Sequence, residues 1–391
     1  LKGEERILPA YNMSLFVIGR QKLMHFALGL IIPFCSFTSH TILAIPPTLV
    51  LFFIGTILLF SFNRTIYISN SLIIPFIAIV YFMVTQTIIG APLSRYMGVI
   101  FAICYYVVVV FFAQQLTFSK LKSLSSKFIT YSTFLLIAEC IWRLMHPQTD
   151  YAVFEESGDP RWIYQYKFGG LMYVDSNAVA IHIIIILFFI FYMEIEHGQH
   201  WTKSKIILIA LLILTFSRAG WIGAFLGWIY IRFLRKQKLE LYLIYFFLFS
   251  IGLILFYKLY LQQKIESDLS FQSKLDIIKV VHTYISNASL NELFFGIGFS
   301  NSSDRLGIYA HNFFMVFFIE SGIIGLLIII SLFVQLTIAT RKRALFIIIP
   351  FLITTLSSTI TFMPFLYVSL ALIFLLKKNE IQKIEMTTNE S

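Results

Sequence analysis

Charge is what this 391-residue sequence has least of. Only 13% of its residues are Asp, Glu, Lys or Arg, about half the share of an ordinary soluble domain. With 58% hydrophobic residues, that scarcity excludes a soluble enzyme and a disordered chain. Cysteine is scarce too. Cys35, Cys104 and Cys140 each sit inside an apolar run, without metal-ligand or redox spacing. A disulfide-stapled secreted domain is therefore excluded, and the three read as small buried hydrophobes. No Asp-x-Asp pair and no His/Cys cluster marks a metal site, so neither a metal nor a cofactor is expected. Net charge is +10, yet no contiguous basic domain exists to hold a nucleic acid, and none is expected as a partner.

What the chain has is hydrophobic length, including 42 Phe. Twelve apolar runs approach the roughly 20 residues that span a bilayer. They are 23–40, 42–62, 71–90, 93–115, 126–146, 175–193, 203–217, 219–235, 239–261, 309–338, 344–359 and 361–376. Placing the N-terminus inside puts about two thirds of the 30 Lys and Arg in the cytoplasmic segments, as the positive-inside rule requires. Among these are Lys120, Lys122 and Lys127, Arg232 to Lys238, and Arg341 to Arg343. The expectation is one all-α, polytopic membrane domain over 1–391, with about 12 spans and both termini cytoplasmic. Two segments on the outer side are long, 147–174 and 262–308. Loops of that length are usually functional or disordered, and their Trp, Tyr and Phe content argues for order. In the second, Phe271, Leu275, Ile278, Val281 and Ile285 recur at helical spacing and predict an amphipathic helix.

A few polar residues stand where apolar ones are the rule. In the run opening Tyr309-Ala310-His311-Asn312, helical periodicity puts His311, Met315, Phe318, Gly322 and Gly325 on one face. Glu320, nine residues on, falls on the opposite face. Gly322 and Gly325 are expected to let a neighbouring helix approach. Alone, His311 reads as an interfacial histidine and Glu320 as half of an ion pair. Arg218 is the one charge in a tight turn between two runs, followed by a seam at Gly220, Gly223 and Gly227. An Arg beside a helix N-terminus makes an anion cradle; a snorkelling Arg is the plainer alternative. Lys167-Phe168-Gly169-Gly170 leads to a helix cap at Asp175-Ser176, and Asn177 then enters a span. Glu139 and Arg143, four apart, read as a structural, mutually neutralised pair. His182 reads as a packed polar residue.

These residues resemble the bacterial O-antigen polymerase and O-antigen ligase superfamily of polytopic glycosyltransferases. Its pattern His-(Asn/Ser/Gln)-x9-Gly-x-x-Gly is matched by His311-Asn312 and Gly322-Ile323-Ile324-Gly325. Gly296-Ile297-Gly298-Phe299 looks like the Gly-rich approach to that motif, and Phe216-Ser217-Arg218 is similar to its Arg-bearing turn. Lys167-Phe168-Gly169 with Asp175-Ser176-Asn177 looks like a further family segment, with Lys in place of Arg. Ser273-Lys274 stands where the family carries a second Arg, which keeps the charge and loses the bidentate fork.

The resemblance implies a GT-C-like fold in the bacterial inner membrane and a site on the periplasmic face. It implies polyprenyl-diphosphate-linked glycans as donor and acceptor, with no essential metal. His311 would be the base that deprotonates the acceptor hydroxyl, since imidazole titrates near neutrality. Arg218 would hold the leaving diphosphate, followed in order by Lys274 and then by Arg161, Lys167 and Arg305. Asn312 and Asn177 would hold sugar hydroxyls, with Glu320 also placed in the substrate-binding group. A chain-length regulator and membrane lipid are the further partners expected. An O-antigen polymerase is the first reading, a ligase transferring glycan to lipid A–core the second. A lipid-linked oligosaccharide flippase is the alternative from another class.

Overall fold

The computed structural model describes residues 10–38, 45–62, 69–151, 160–234, 269–307, 311–358, 360 and 362–389. Among them every regular element is helical, and the one β contact is an isolated bridge between Phe168 and Asp175. In chain order the helices are α1 (Ala10–Phe34), α2 (Pro47–Phe62), α3 (Ile73–Ile89), α4 (Leu93–Ala113), α5 (Phe118–Met145), α6 (Ser176–His197), α7 (Thr202–Leu214) and α8 (Arg218–Leu234). The segment 262–308 contributes α9 (Leu269–Asn287), α10 (Leu290–Phe295) and α11 (Ser302–Leu306). Then come α12 (Phe313–Ala339), α13 (Leu345–Thr355) and α14 (Pro364–Asn389). A helix occupies each apolar run predicted from the sequence except 239–261, which lies outside the described residues. Among the described residues, five helices, α3 with its preceding turn, α4, α5, α6 and α12, are long and apolar enough to cross a membrane, and α1, α2 and α13 carry shorter apolar stretches.

The helices are patterned inside out. On α3 the outward row is Ile73, Ile77, Val80, Val84 and Ile88, the last 79% exposed, whereas Gln86 is fully buried. A soluble helix does the reverse; apolar side chains face outward when the solvent is hydrocarbon and backbone polar groups are satisfied within each helix. α6 is enclosed along nearly its whole length by α5, α7, α8, α13 and α14. His182 on α6 is fully buried. Its Nδ1 lies 3.0 Å from the Tyr173 hydroxyl, its Nε2 lies 3.0 Å from Ser36 Oγ, and its ring stacks on Phe365 at 4.0 Å. It is the packed polar residue that the sequence suggested.

Charges separate to the two ends of the helices. At one end Arg343 pairs with Glu196 (2.7 Å), Lys205 with Glu194 (2.8 Å) and Lys377 with Glu380 (2.8 Å), while Lys120 donates to Gln21 (2.9 Å). These are the short basic connections that charge alternation put on one side. The opposite end carries 147–151, 160–174 and α9 to α11, together with Arg95, Arg143, Arg218 and His311 at the helix termini.

α12 is broken at Gly322, whose φ of 70° and ψ of −179° interrupt the helix. The break is filled by the Gly-rich segment after α10. Ile297 N donates to Ile319 O (3.0 Å), Gly298 N to Glu320 O (3.0 Å) and the Tyr81 hydroxyl to Ser321 O (2.9 Å). Three carbonyls released by the break thus find new donors, as buried backbone must. The contact is backbone on backbone. A Cβ on Gly322 would overlap the Phe294 carbonyl, and one on Gly296 (φ 83°) would overlap the Glu320 carbonyl carbon. Gly322 does admit a neighbouring helix, α10, as the sequence suggested, and does so at a break in α12 that the sequence did not suggest; Gly325 faces α3, at Phe82. The packed face of α9 also differs from the expected stripe. Ile277, Val281 and Tyr284 are buried against Val316 and Ile319 of α12, whereas Ile278 (55%) and Ile285 (48%) are exposed. The helix follows the surface of α12, and its second apolar edge suits a membrane interface.

Substituting Gly322→Ala is expected to destabilise the purified protein by several kcal/mol, because it combines a left-handed φ with a backbone overlap. Gly29→Ala, on α1 with nothing within 4 Å of the added carbon, is expected to be neutral or to stabilise by up to about 1 kcal/mol. Thermal melting of both variants in the same lipid nanodiscs checks the contrast.

Candidate active site

The site is assembled by two segments of the loop-bearing end that fold back onto the helices. The first comprises 147–151 and 160–174. Gln148 N donates to Gln165 O (2.9 Å), and Lys167 lies over the Tyr164 ring at 4.5 Å. The chain then plugs inward. Met172 is fully buried, with its N–H donating to Glu139 Oε2 (2.6 Å) and its carbonyl accepting from Thr38 Oγ1 (3.3 Å). Gly170 lies so close to Glu139 that a Cβ there would overlap the carboxylate.

Arg143, one turn after Glu139, reaches a different segment: its Nη2 donates to Leu214 O (3.1 Å) at the end of α7. A cation suits the unpaired carbonyls of a helix C-terminus. Glu139 Oε1 and Arg143 Nε and Nη1 have no hydrogen-bond partner among the described residues. The two side chains make no direct salt bridge, but the charge of Arg143 still acts on Glu139, as the sequence pairing expected; their hydrogen bonds go to different segments. Glu139 seats one outer segment and Arg143 the other.

The second segment is the turn from α7 to α8. Phe216 adopts a left-handed φ of 53°, which reverses the chain within three residues. Ser217 then caps α8 by accepting from Gly220 N (3.2 Å), and its hydroxyl donates to Asn177 Oδ1 (2.7 Å). Asn177 Nδ2 donates to Asp175 Oδ2 (2.8 Å), and Asp175 Oδ1 caps α6 through Asn177 N (3.0 Å). Two capped N-termini, those of α6 and α8, are therefore linked side by side, with half-buried Arg218 as the first residue of α8. The Asp175 carboxylate already occupies the N-terminus of α6, so the partial positive charge open to a further anion is that of the α8 N-terminus, with Arg218 beside it. The glycine seam fixes α8 in place. A Cβ on Gly220 would press on Ala180 (2.8 Å), one on Gly223 would overlap Thr354, and one on Gly227 would press on Phe188 (2.5 Å) and Pro350 (2.7 Å).

His311 is exposed at the mouth of α12. Next to it Asn312 caps α12, accepting from Met315 N (3.1 Å), and donates to Leu356 O (2.8 Å) at the end of α13. α13 also packs antiparallel along α8, with Thr354 against Gly223. Arg218 stands five residues before Gly223, about 7 Å further along its axis, and Leu356 lies two residues beyond Thr354. The helix ends bearing Arg218 and His311 therefore flank the same terminus of α13.

The other predicted residues divide. The side-chain amides of Asn177 and Asn312 are engaged in capping and bridging, which makes them positioning groups. Glu320 is buried away from the mouth, its Oε1 accepting from Ser302 Oγ (2.6 Å). Arg305 is exposed and pairs with Glu292 (2.5 Å). The side chains of Arg161 and Lys274 lie outside the described residues. Sequence reasoning missed Arg95 and Gln86. Arg95 Nη1 donates to Asn301 Oδ1 (2.5 Å), Asp304 Oδ2 (2.8 Å) and Ser300 O (3.2 Å). Gln86 accepts from Phe299 N (2.7 Å) and donates to Glu320 O (3.3 Å). Both tie the 296–304 segment to the α3–α4 turn. The available signal was an Arg and a Gln bracketing Gly90 within apolar sequence. Among the described residues no group of three His, Cys, Asp or Glu side chains is placed to hold a metal ion.

Residues 204–330 match the family model described as O-antigen ligase. That segment contains the Arg218 turn, α9 to α11, and His311 with the Gly322 break. No curated protein matches the chain.

Glu139→Ala is expected to unseat the loop, leaving the Met172 amide without its acceptor, at a cost of about 1–3 kcal/mol. Hydrogen exchange at residues 170–173 should accelerate in that variant and stay near the wild-type rate in Glu139→Gln, whose amide oxygen still accepts. Equal exchange in all three proteins would contradict the assignment.

Proposed function

We propose, from the match of residues 204–330 to the family model described as O-antigen ligase, that the chain is a glycosyltransferase. It takes a glycan from a polyprenyl-diphosphate carrier at the loop-bearing face, and it is an O-antigen polymerase. The observation that carries the reading is the placing of a cation at a paired helix N-terminus and an exposed imidazole at two helix ends flanking one terminus of α13. A diphosphate leaving group needs its growing negative charge stabilised, and Arg218 with the N–H groups of α8 supplies fixed donors for it. His311 takes the proton from the acceptor hydroxyl as the new glycosidic bond forms and the bond to the diphosphate breaks. Asn312 and the Asp175–Asn177–Ser217 chain hold these two groups in place, and loss of such positioning is costly because effective molarity depends on geometry. Twelve spans, cytoplasmic termini and an inner-membrane location with a periplasmic site complete the proposal, with a chain-length regulator as its protein partner.

A ligase is the second reading, favoured by the description of the matched family. Deletion of the gene in its host separates the two on a lipopolysaccharide gel. Core carrying a single repeat unit is expected for the polymerase; bare core with accumulated lipid-linked polymer supports the ligase, and untransferred intermediates on the inner leaflet support a flippase instead. In the same strain, His311→Ala is expected to lower the rate of transfer by about 10²–10⁴-fold, the usual contribution of a positioned base, while reaching the membrane in normal amount.

A further inference from the structure

One corner of the end that carries the short basic connections departs from the pairing seen there. Lys205, Arg343 and Lys377 each face a carboxylate. Lys22 on α1 and Lys127 on α5 are exposed and make no ion pair among the described residues. Half-buried His25 shares their corner, one turn after Lys22. Its Nδ1 is buried and its Nε2 reaches the surface, and neither has a hydrogen-bond partner among the described residues. The charges that act on its ring are those of Lys127 and Lys120, with no carboxylate among them.

The register of the two helices sets the depth of this corner. α1 and α5 start at the same end and pack in parallel: Lys120 Nζ donates to Gln21 Oε1 (2.9 Å), and Ser36 Oγ lies 2.8 Å from Ser132 Oγ further along the seam. His25 is therefore level with the stretch between Lys120 and Lys127. Helical side chains lean toward the N-terminus, so Lys127 reaches back toward the imidazole. The apolar runs 23–40 and 126–146 begin at this level, where acyl chains give way to headgroups. An unpaired lysine at the edge of hydrocarbon is costly unless its ammonium snorkels to the phosphate layer. Deeper in, the same outer faces turn apolar. Phe26 (58% exposed) follows Lys22 by one turn, and Tyr131 (42%) and Phe134 (65%) follow Lys127 by one turn and two. Cations at phosphate depth above exposed rings are complementary to a phospholipid, and their uncompensated charge favours an anionic one. A charge bias that serves topology alone needs lysines on this side, but it does not need them to converge on an imidazole without partners.

We infer that this corner binds the phosphate headgroup of an anionic phospholipid from the leaflet at the basic end. The phosphate bridges Lys22 and the Nε2–H of His25 on α1 to Lys127 on α5. The lipid thus fastens the two helices at one end, as Ser36 and Ser132 do at the other. Ser36 also meets His182, which holds Tyr173 of the first outer segment, so the lipid steadies the seam on which that segment rests. The site is independent of the transfer chemistry at the opposite face.

The test titrates the full-length protein in detergent with phosphatidylglycerol and, separately, with phosphatidylcholine, and counts retained lipid by native mass spectrometry. The wild type is expected to retain one phosphatidylglycerol at least tenfold more tightly than phosphatidylcholine. The double variant Lys22→Gln, Lys127→Gln changes two exposed positions and is expected to lose that preference, since a lysine at an anionic surface contributes about fivefold. The double variant Arg341→Gln, Lys342→Gln removes two exposed cations elsewhere at the same end and is expected to keep it. Should the first double variant fail to fold, Lys127→Gln decides alone, with a loss of about fivefold. Three results would each overturn the inference: no preference in the wild type; equal loss in the two double variants, the mark of diffuse charge attraction; or displacement of the lipid by millimolar inorganic phosphate, which makes a free anion the ligand.

Discussion

Hydrocarbon offers no hydrogen bond, and the architecture follows from that one constraint. Every backbone group that leaves a helix at membrane depth must find a partner inside the protein. The break in α12 shows how strictly this is met. Turning the chain at Gly322 frees the carbonyls of Ile319, Glu320 and Ser321, and donors from Ile297, Gly298 and Tyr81 replace the lost helical ones. The Gly-rich segment and the Gly-x-x-Gly motif are therefore two halves of one joint. The joint sets α10 and α11 against α12, and Arg95 and Gln86 fasten the same segment to the α3–α4 turn.

The same constraint explains why so few polar residues suffice for a site. Met172 can enter the helices because Glu139 and Thr38 satisfy its backbone. The α7–α8 turn can be tight because Arg143 takes the Leu214 carbonyl and Ser217 caps the next helix. A charged α5 face with three atoms lacking a hydrogen-bond partner among the described residues is expensive to bury, and its position between the two outer segments gives that cost a purpose. Arg218 and Asn177 arrive at one corner as a consequence of these fastenings, and His311 arrives at the neighbouring corner because Asn312 is tied to Leu356.

Much of this was legible in the sequence. Apolar run length predicted the helices, and alternation of Lys and Arg predicted which ends share a side; both are one-dimensional properties with a period or a sign. His311, Arg218 and Asn177 were legible as polar exceptions in apolar surroundings. What the sequence hid was the direction in which side chains reach. The i, i+4 spacing of Glu139 and Arg143 suggested a pair, yet their hydrogen-bond partners, Met172 and Leu214, are 33 and 71 residues away. Gly322 was legible as a contact glycine, but the helix break there was not, because φ has no signature in composition. The α9 stripe was shifted because several apolar residues surround that helix, and only the surface of α12 decides which of them are covered. Arg305 looked available as an anion partner until Glu292 was placed beside it.

The central claim is that Arg218 and His311, 93 positions apart in sequence, border one mouth. Thiol cross-linking tests it most directly. With the three native cysteines replaced, cysteines at 218 and 311 should be joined in nanodiscs by a bis-thiol reagent whose span matches a diphosphate and one sugar. The pair 312 and 356, already bridged by a hydrogen bond, serves as the positive control. Efficient joining of 218 to 311 is the predicted result. Joining of the control pair alone, with 218 and 311 beyond the reagent's reach, would contradict the shared mouth and the transfer chemistry built on it.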